Sequence, residues 1–162
     1  MMPDIKKILY ATDLSESAAH AFRYAMFLAE KFDAQVTVLH VMGELSQEEK
    51  VVFAAYFDKD VQMDIAANKE SDAISRMKER LTAFCEKEFS GQLEAYSNMI
   101  TFKVCKGYPE EQILKKSDEY QVDIIVMGAH EKGFTHTFLG SVAKRVLRRS
   151  RKPVFIIPLP KP

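Results

Sequence analysis

The chain carries no net charge, its 23 lysines and arginines being matched by 23 aspartates and glutamates. No global field therefore draws it to nucleic acid or to an anionic membrane, and partner choice must come from local features. Cysteine is scarce. Cys85 and Cys105 lie far apart and form neither a CxxC pair nor metal-ligand spacing, which points to a reducing compartment rather than a secreted disulfide scaffold. Also missing is any apolar run approaching the roughly 20 residues that cross a bilayer. The N-terminal MMPDIKKILYATD has lysines before an apolar stretch, but the stretch is short and no small-residue cleavage site follows. The expectation is a soluble cytoplasmic protein without membrane or nucleic-acid partner. No repeat, low-complexity tract or linker divides the 162 residues. They read as one domain, 1–162, able to bury roughly two-thirds of the unfolded chain's surface without metal or disulfide.

What is present is an alternation of strands and helices. Residues 6–11 read as a buried strand, closed by Thr12-Asp13-Leu14-Ser15, a cluster suited to a turn and a helix cap. Ala18, Phe22, Ala25, Ala29 and Phe32 then recur at helical spacing, and 35–42, QVTVLHVM, forms a second strand. A β-α-β opening favours parallel pairing. The link to the next strand is longer than one helix requires. Ser46 and Glu49 make a capping box before Val52, Phe53, Tyr56 and Phe57, so a helical insertion is expected at about 44–62. A longer helix over about 63–89 follows, with Ala67, Ile74, Met77, Leu81, Phe84 and Cys85 inward. A loop over 91–97 leads to a third strand over 100–105. Pro109, Glu110 and Glu111 open the next helix and Lys115 and Lys116 close it. Residues 122–127 form a fourth strand, Val142, Val146 and Leu147 mark the inner face of a last helix, and 153–157 close the chain as a fifth strand. The fold class is α/β: an open doubly wound five-stranded parallel sheet with helices on both faces.

In such sheets ligands collect outside the carboxyl ends of the strands, near the point where strand order reverses. Those ends carry Asp13, Val41 with Met42, Gly107 and Gly128. The most informative stretch is 126–149, VMGAHEKGFTHTFLGSVAKRVLRR, in which an apolar strand stops at Gly128, a polar loop contains Gly133, and helical period resumes at Gly140-Ser141. The first amides of a helix lack partners within it and carry its positive end, so a loop of small residues there admits a phosphate, and Ser141 adds a hydroxyl. The same spacing also serves a ligand-free chain reversal, with glycines for the turn and serine for the cap. His40, inside a strand, reads as a hydrogen-bonded core residue rather than a ligand. Lys144, Arg145, Arg148, Arg149, Arg151 and Lys152 read as a solvated helix face whose last cations complement the dipole; no aromatic residues interleave them as base platforms.

Three segments together, YATDLSESA, the LHV ending the second strand, and VMGAHEKGFTHTFLGSVAKRVLRRSRKPVFIIP, resemble the universal stress protein family, and the resemblance spans 6–158. It implies a Rossmann-like sheet of the adenine nucleotide alpha hydrolase-like type. Nucleotide-binding members carry a glycine, two residues, a second glycine, nine residues, then glycine and serine or threonine. Gly128 and Gly140-Ser141 match the ends of that pattern. The interval here is one position shorter, Glu131 and Lys132 stand where the second glycine is expected, and Gly133 is placed like a later family glycine. A carboxylate at a close-approach position repels a phosphate, and Lys132 offsets that charge. Carried across, the resemblance implies adenine near Asp13 and the Val41 backbone, ribose near Gly128, and phosphates near His130, Gly133, Gly140, Ser141 and Val142. The implied ligand is ATP or AMP, with Mg²⁺ as a candidate companion ion. The implied function is a regulatory adenine-nucleotide-binding module of the stress response. A homodimer through Val154–Ile157 and an unidentified protein partner are implied with it. The alternative within the same fold is a dimeric protein-interaction module that binds no nucleotide. Beyond slow ATP hydrolysis no catalysis is expected: no Walker lysine follows Gly140, no second acid pairs with Asp13 to hold Mg²⁺, and no serine sits at a nucleophile elbow. A receiver domain is set aside because the third strand ends in Cys105-Lys106-Gly107 rather than in a phosphoacceptor aspartate.

Overall fold

Four consecutive buried residues, Ile8, Leu9, Tyr10 and Ala11, follow Lys7 in β1 (Lys7–Ala11). A strand apolar on both sides rests only in the middle of a sheet that is covered on both faces. In the computed structural model β1 pairs in parallel with β2 (Gln35–Met42) on one side and β4 (Ile124–Gly128) on the other. β3 (Ile100–Lys106) extends the sheet beyond β2, and β5 (Val154–Ile157) extends it beyond β4, giving the all-parallel order β3-β2-β1-β4-β5. The structure describes residues 1–43, 51, 55, 59–129 and 139–160, with the backbone alone at 16, 17 and 61–70. Most of the expected insertion at about 44–62 lies outside the described residues.

Helices α1 (Glu16–Phe32) and α2 (Lys59–Glu88) cover one face, and α3 (Pro109–Glu119) and α4 (Ser141–Arg149) cover the other. The period-two alternation of each strand divides the core between them. Ile8, Tyr10, Val36 and Val38 pack against Phe22, Met26, Leu81 and Cys85, whereas Leu9, Ala11, Leu39 and Ile125 pack against Ile113, Ala143 and Val146. Ser15 starts α1 by accepting the Ala18 amide on its hydroxyl, and Asp33 ends it in the left-handed conformation. Phe22 joins the layers: its ring lies 5.2 Å from Tyr10 in the sheet and 5.4 Å from Phe89 beyond α2, and Phe89 stacks on Tyr96 at 4.5 Å.

Several boundaries differ from the sequence reading for identifiable reasons. β4 begins at Ile124 rather than at 122, because the Asp123 carboxylate accepts the amides of Lys6 and Lys7, both at 2.8 Å, and fixes the strand's entry. α2 begins at Lys59 rather than at about 63. The expected loop over 91–97 contains a short 3-10 helix, Leu93–Tyr96, that buries Leu93. Two expected inward residues point out. Phe32 is 41% exposed because the buried stripe of α1 ends at Ala29 and the chain turns back at Asp33. Leu147 is 47% exposed because α4 covers the margin of the sheet, where the buried stripe narrows to Ala143 and Val146.

Two buried acids of the core make stability fall on the alkaline side. Burial pushes the Cys85 thiol up to about 12, with the neighbouring Glu88 adding to the effect, and burial also raises the Tyr10 hydroxyl well above its usual range. In the unfolded chain these groups ionise near ~8.5 and ~10. Each folded pKa lies above its unfolded value, so the contribution is complete at neutral pH and is lost as pH rises towards the folded value. The urea midpoint is expected to decline from about pH 9 upward, and Cys85→Ala should decline less steeply. Equal slopes for the two proteins would show that the thiol is not a source.

Candidate functional site

At the carboxyl end of the sheet the chain leaves β1 for the α1 face and returns from β4 to the α4 face, so neighbouring strands part in opposite directions and a crevice opens between them. A pocket with about 610 Å³ of empty space, part of it open to solvent, occupies this crevice. Ala11, Leu39 and Met127 form an apolar floor, Thr12 and Asp13 border it after β1, and Gly128 and Ala129 border it at the end of β4. Pro109 and Ile113 of α3 stand on one side, with Gly140, Val142 and Ala143 at the start of α4 on the other. Of the residues singled out in the sequence, Asp13, Val41, Gly128, Gly140 and Val142 all line this one pocket. Ser141 lies between two lining residues in the first turn of α4. His130, Gly133, Glu131 and Lys132 lie outside the described residues. Met42 and Gly107 do not line it; the Gly107 amide donates to the Met42 carbonyl at 2.9 Å and ties the ends of β2 and β3 together. Gly107 has φ +140°, a conformation that suits glycine.

The turn that presents Asp13 is held from several directions. The Thr12 amide donates to the Leu39 carbonyl at 2.9 Å, carrying the β1–β2 ladder one residue further. His40 Nδ1 donates to the Thr12 carbonyl at 2.8 Å; the carbonyl can only accept, so this nitrogen bears the proton. That contact is the hydrogen-bonded role expected for His40. Thr12 Oγ1 accepts the Leu14 amide at 3.0 Å, and Asp13 Oδ1 accepts the Ser15 amide at 2.9 Å, an Asx turn that accommodates Leu14 at φ +64°. Asp13 is therefore both a turn former and a rim residue, while the helix cap itself is Ser15. At the rim its carboxylate is suited to accept from amine or hydroxyl donors, not to receive a phosphate.

The opposite end of the pocket has the complementary character. Gly140 occupies the N-cap of α4 and offers no side-chain cap, and the first turn contains no acidic residue. Its amide donates to the Ala129 carbonyl at 2.7 Å, and its carbonyl accepts the Lys144 amide at 3.0 Å. The positive end of the helix dipole is thus directed at the pocket without a carboxylate of its own helix to neutralise it. Among the described residues no group of three or more His, Cys, Asp or Glu side chains is placed to hold a metal ion. Among them, too, no helix is long and apolar enough to cross a membrane.

The sequence reading missed the contribution of α3. The signal was available: helices after parallel strands all begin at the carboxyl edge of the sheet, so Pro109 had to arrive near Asp13 and Gly128. The basic run is also less uniform than expected. Arg145, itself exposed, pairs with Glu110 at 2.8 Å, and half-buried Lys152 donates from Nζ to the Val122 carbonyl at 2.9 Å; Lys144, Arg148, Arg149 and Arg151 are exposed.

Known proteins share both the sequence pattern and the fold. Universal stress protein MJ0577 of Methanocaldococcus jannaschii is 30% identical over 158 residues, 94% of each chain. A solved structure of MJ0577 superposes with a TM-score of 0.69 at 26% identity, over 99% of this chain and 100% of its own. A universal stress protein in complex with cAMP shares the fold at 22% identity, with a TM-score of 0.61 and coverage of 96% and 98%. The universal stress protein of Archaeoglobus fulgidus in complex with dAMP shares it at 20% identity, with a TM-score of 0.54 and coverage of 96% and 99%. The sequence profile of the universal stress protein family matches residues 4–158. A match that begins before β1 and runs through β5 establishes that this chain belongs to the universal stress protein family.

Proposed function

We propose that the protein binds an adenine nucleotide, ATP or AMP, as a regulatory ligand in the stress response. Adenine lies against Asp13 and the Val41 backbone, ribose near Gly128, and phosphates on the first turn of α4 at Gly140, Ser141 and Val142. His130 and Gly133 contribute from the connecting loop, and Mg²⁺ accompanies a polyphosphate tail. One observation carries this reading: residues from separate segments, Asp13, Val41, Gly128, Gly140 and Val142, line a single pocket. Its apolar floor suits a flat ring, its acid accepts from the ring or sugar, and its far end is the start of α4, whose N-cap is a glycine. Two proteins of this fold hold cAMP and dAMP. The reading assigns no chemical step to the site. It takes 1–162 as one cytoplasmic domain with a helical insertion at about 44–62, and an unidentified protein as a further partner.

The same reading includes a homodimer through β5. This strand ends the sheet, so one row of its backbone groups has no partner strand among the described residues. Phe155 is 41% exposed beside half-buried Val154 and Ile156, and Pro153 and Pro158 limit how far pairing extends.

Heating the purified protein is expected to release adenine absorbance, and calorimetry should show ATP or AMP binding tighter than millimolar. Gly140 has φ −62°, open to any residue, so Gly140→Leu should keep the fold while filling the pocket mouth and weakening binding by about a hundredfold. Unchanged affinity in that variant would place the site elsewhere. Failure of both nucleotides to bind would instead favour the nucleotide-free interaction module. For the assembly, sedimentation should give a dimer at micromolar concentration that Phe155→Lys converts to a monomer, and a monomeric wild type would remove the β5 contact.

A further inference from the structure

An ion pair spans the two helical walls of the pocket, which also meet through the apolar side chains of Ile113, Ala143 and Val146. Pro109 and Ile113 of α3 line one side, and Val142 and Ala143 of α4 line the other. Glu110, next to Pro109, accepts a 2.8 Å hydrogen bond from Arg145 Nη1, one turn after Ser141 in α4. The glutamate side chain is only 12% exposed while the arginine is 59% exposed, so the acid is largely removed from water and the cation keeps part of its hydration. Glu110 also sits in the first turn of α3, where the helix dipole favours a negative charge. Without Arg145 this buried carboxylate would lose its main compensation. No strand pairing links α3 to α4, and Arg145 reaches an acid 35 positions earlier in the chain.

We propose that the Glu110–Arg145 pair is a positioning clamp that sets the gap between the first turns of α3 and α4, and through it the fit of the purine. The affinity half of this inference rests on the nucleotide reading; the gap itself does not. A purely electrostatic role predicts the opposite behaviour. Removing the Glu110 charge would then free Arg145 to attract phosphate, strengthening ATP binding and leaving adenosine unchanged. A clamp sets the width of the pocket itself, so its loss weakens adenosine as well as ATP.

The test uses the full chain. Glu110→Gln is expected to weaken adenosine and ATP alike by about tenfold in calorimetry, and Glu110→Arg combined with Arg145→Glu should recover most of the loss. Spin labels on exposed positions of the two helices, Lys115→Cys and Arg148→Cys in a Cys105→Ser background, report the gap in nucleotide-free protein by pulsed dipolar spectroscopy. Glu110→Gln should broaden that distance distribution and the exchanged pair should narrow it again. Should Glu110→Gln not fold, Arg145→Lys, which keeps the charge but not the guanidinium geometry, is read for the same pattern at smaller amplitude. Tighter ATP binding, unchanged adenosine binding or an unchanged distance distribution would each overturn the clamp. If the wild type binds neither ligand, the nucleotide reading fails by itself and the distances alone decide for or against the clamp.

Discussion

The burial of β1 on both faces is the constraint from which the rest of the architecture follows. A strand without a polar side must be central, and its helix and that of β4 must then cover different faces for both to be shielded. The parting of the chain at the carboxyl ends of β1 and β4 is a consequence of this requirement, and the pocket is the space left by that parting. The site is in this sense produced by the packing of the core: Ala11, Leu39 and Met127 belong at once to the core beneath α3 and α4 and to the pocket floor.

The rim above this floor inherits its rigidity from the sheet. Thr12 continues the β1–β2 ladder through its bond to Leu39, and Ala129 continues the β4–β5 ladder by donating to the Ile157 carbonyl at 2.9 Å. Gly140 then bonds back to Ala129, so the start of α4 is fixed to the end of β4 even though the intervening chain is long. His40 plays the equivalent part for the first turn, approaching from the face opposite to Val41 because successive strand residues alternate. Thr12, Ala129 and Gly140, which border the pocket, are thus tied by hydrogen bonds to the ends of the strands that define it.

How much of this was legible depends on the range over which each feature is encoded. The parallel strands were visible because burial on both faces leaves short continuous apolar runs, and α1 because its small apolar residues repeat at helical spacing. Asp13, Gly128 and Gly140 were visible because topology alone places strand ends and helix starts at one edge. Phe32 and Leu147 were misread because periodicity gives the direction of a stripe but not how far the sheet extends beneath it. The entry to β4 was misplaced because it is set by Asp123 bonding to Lys6 and Lys7, a contact between distant segments with no local signature. The Glu110–Arg145 pair was invisible for the same reason: each residue sits in a pattern already explained by helix-dipole complementarity, and nothing in either pattern names the other.

Charge supplies the last step of the argument. With the ionic charges of the chain cancelling overall, whatever field a ligand meets in the crevice is local, and the crevice has two unlike ends. Asp13 makes one end an acceptor, and the positive end of the α4 dipole, with no acid in its first turn, makes the other suited to anions. A symmetric small anion would use only one of these ends. A molecule with hydrogen-bond donors on a flat ring and negative charge on a tail uses both, in one orientation, and the distance between Asp13 and Gly140 across the apolar floor is what that orientation depends on. Under the proposed function, a crevice with two unlike ends selects by the order of chemical groups along the ligand rather than by total charge, so a nucleotide and free phosphate would be told apart without any net field on the protein.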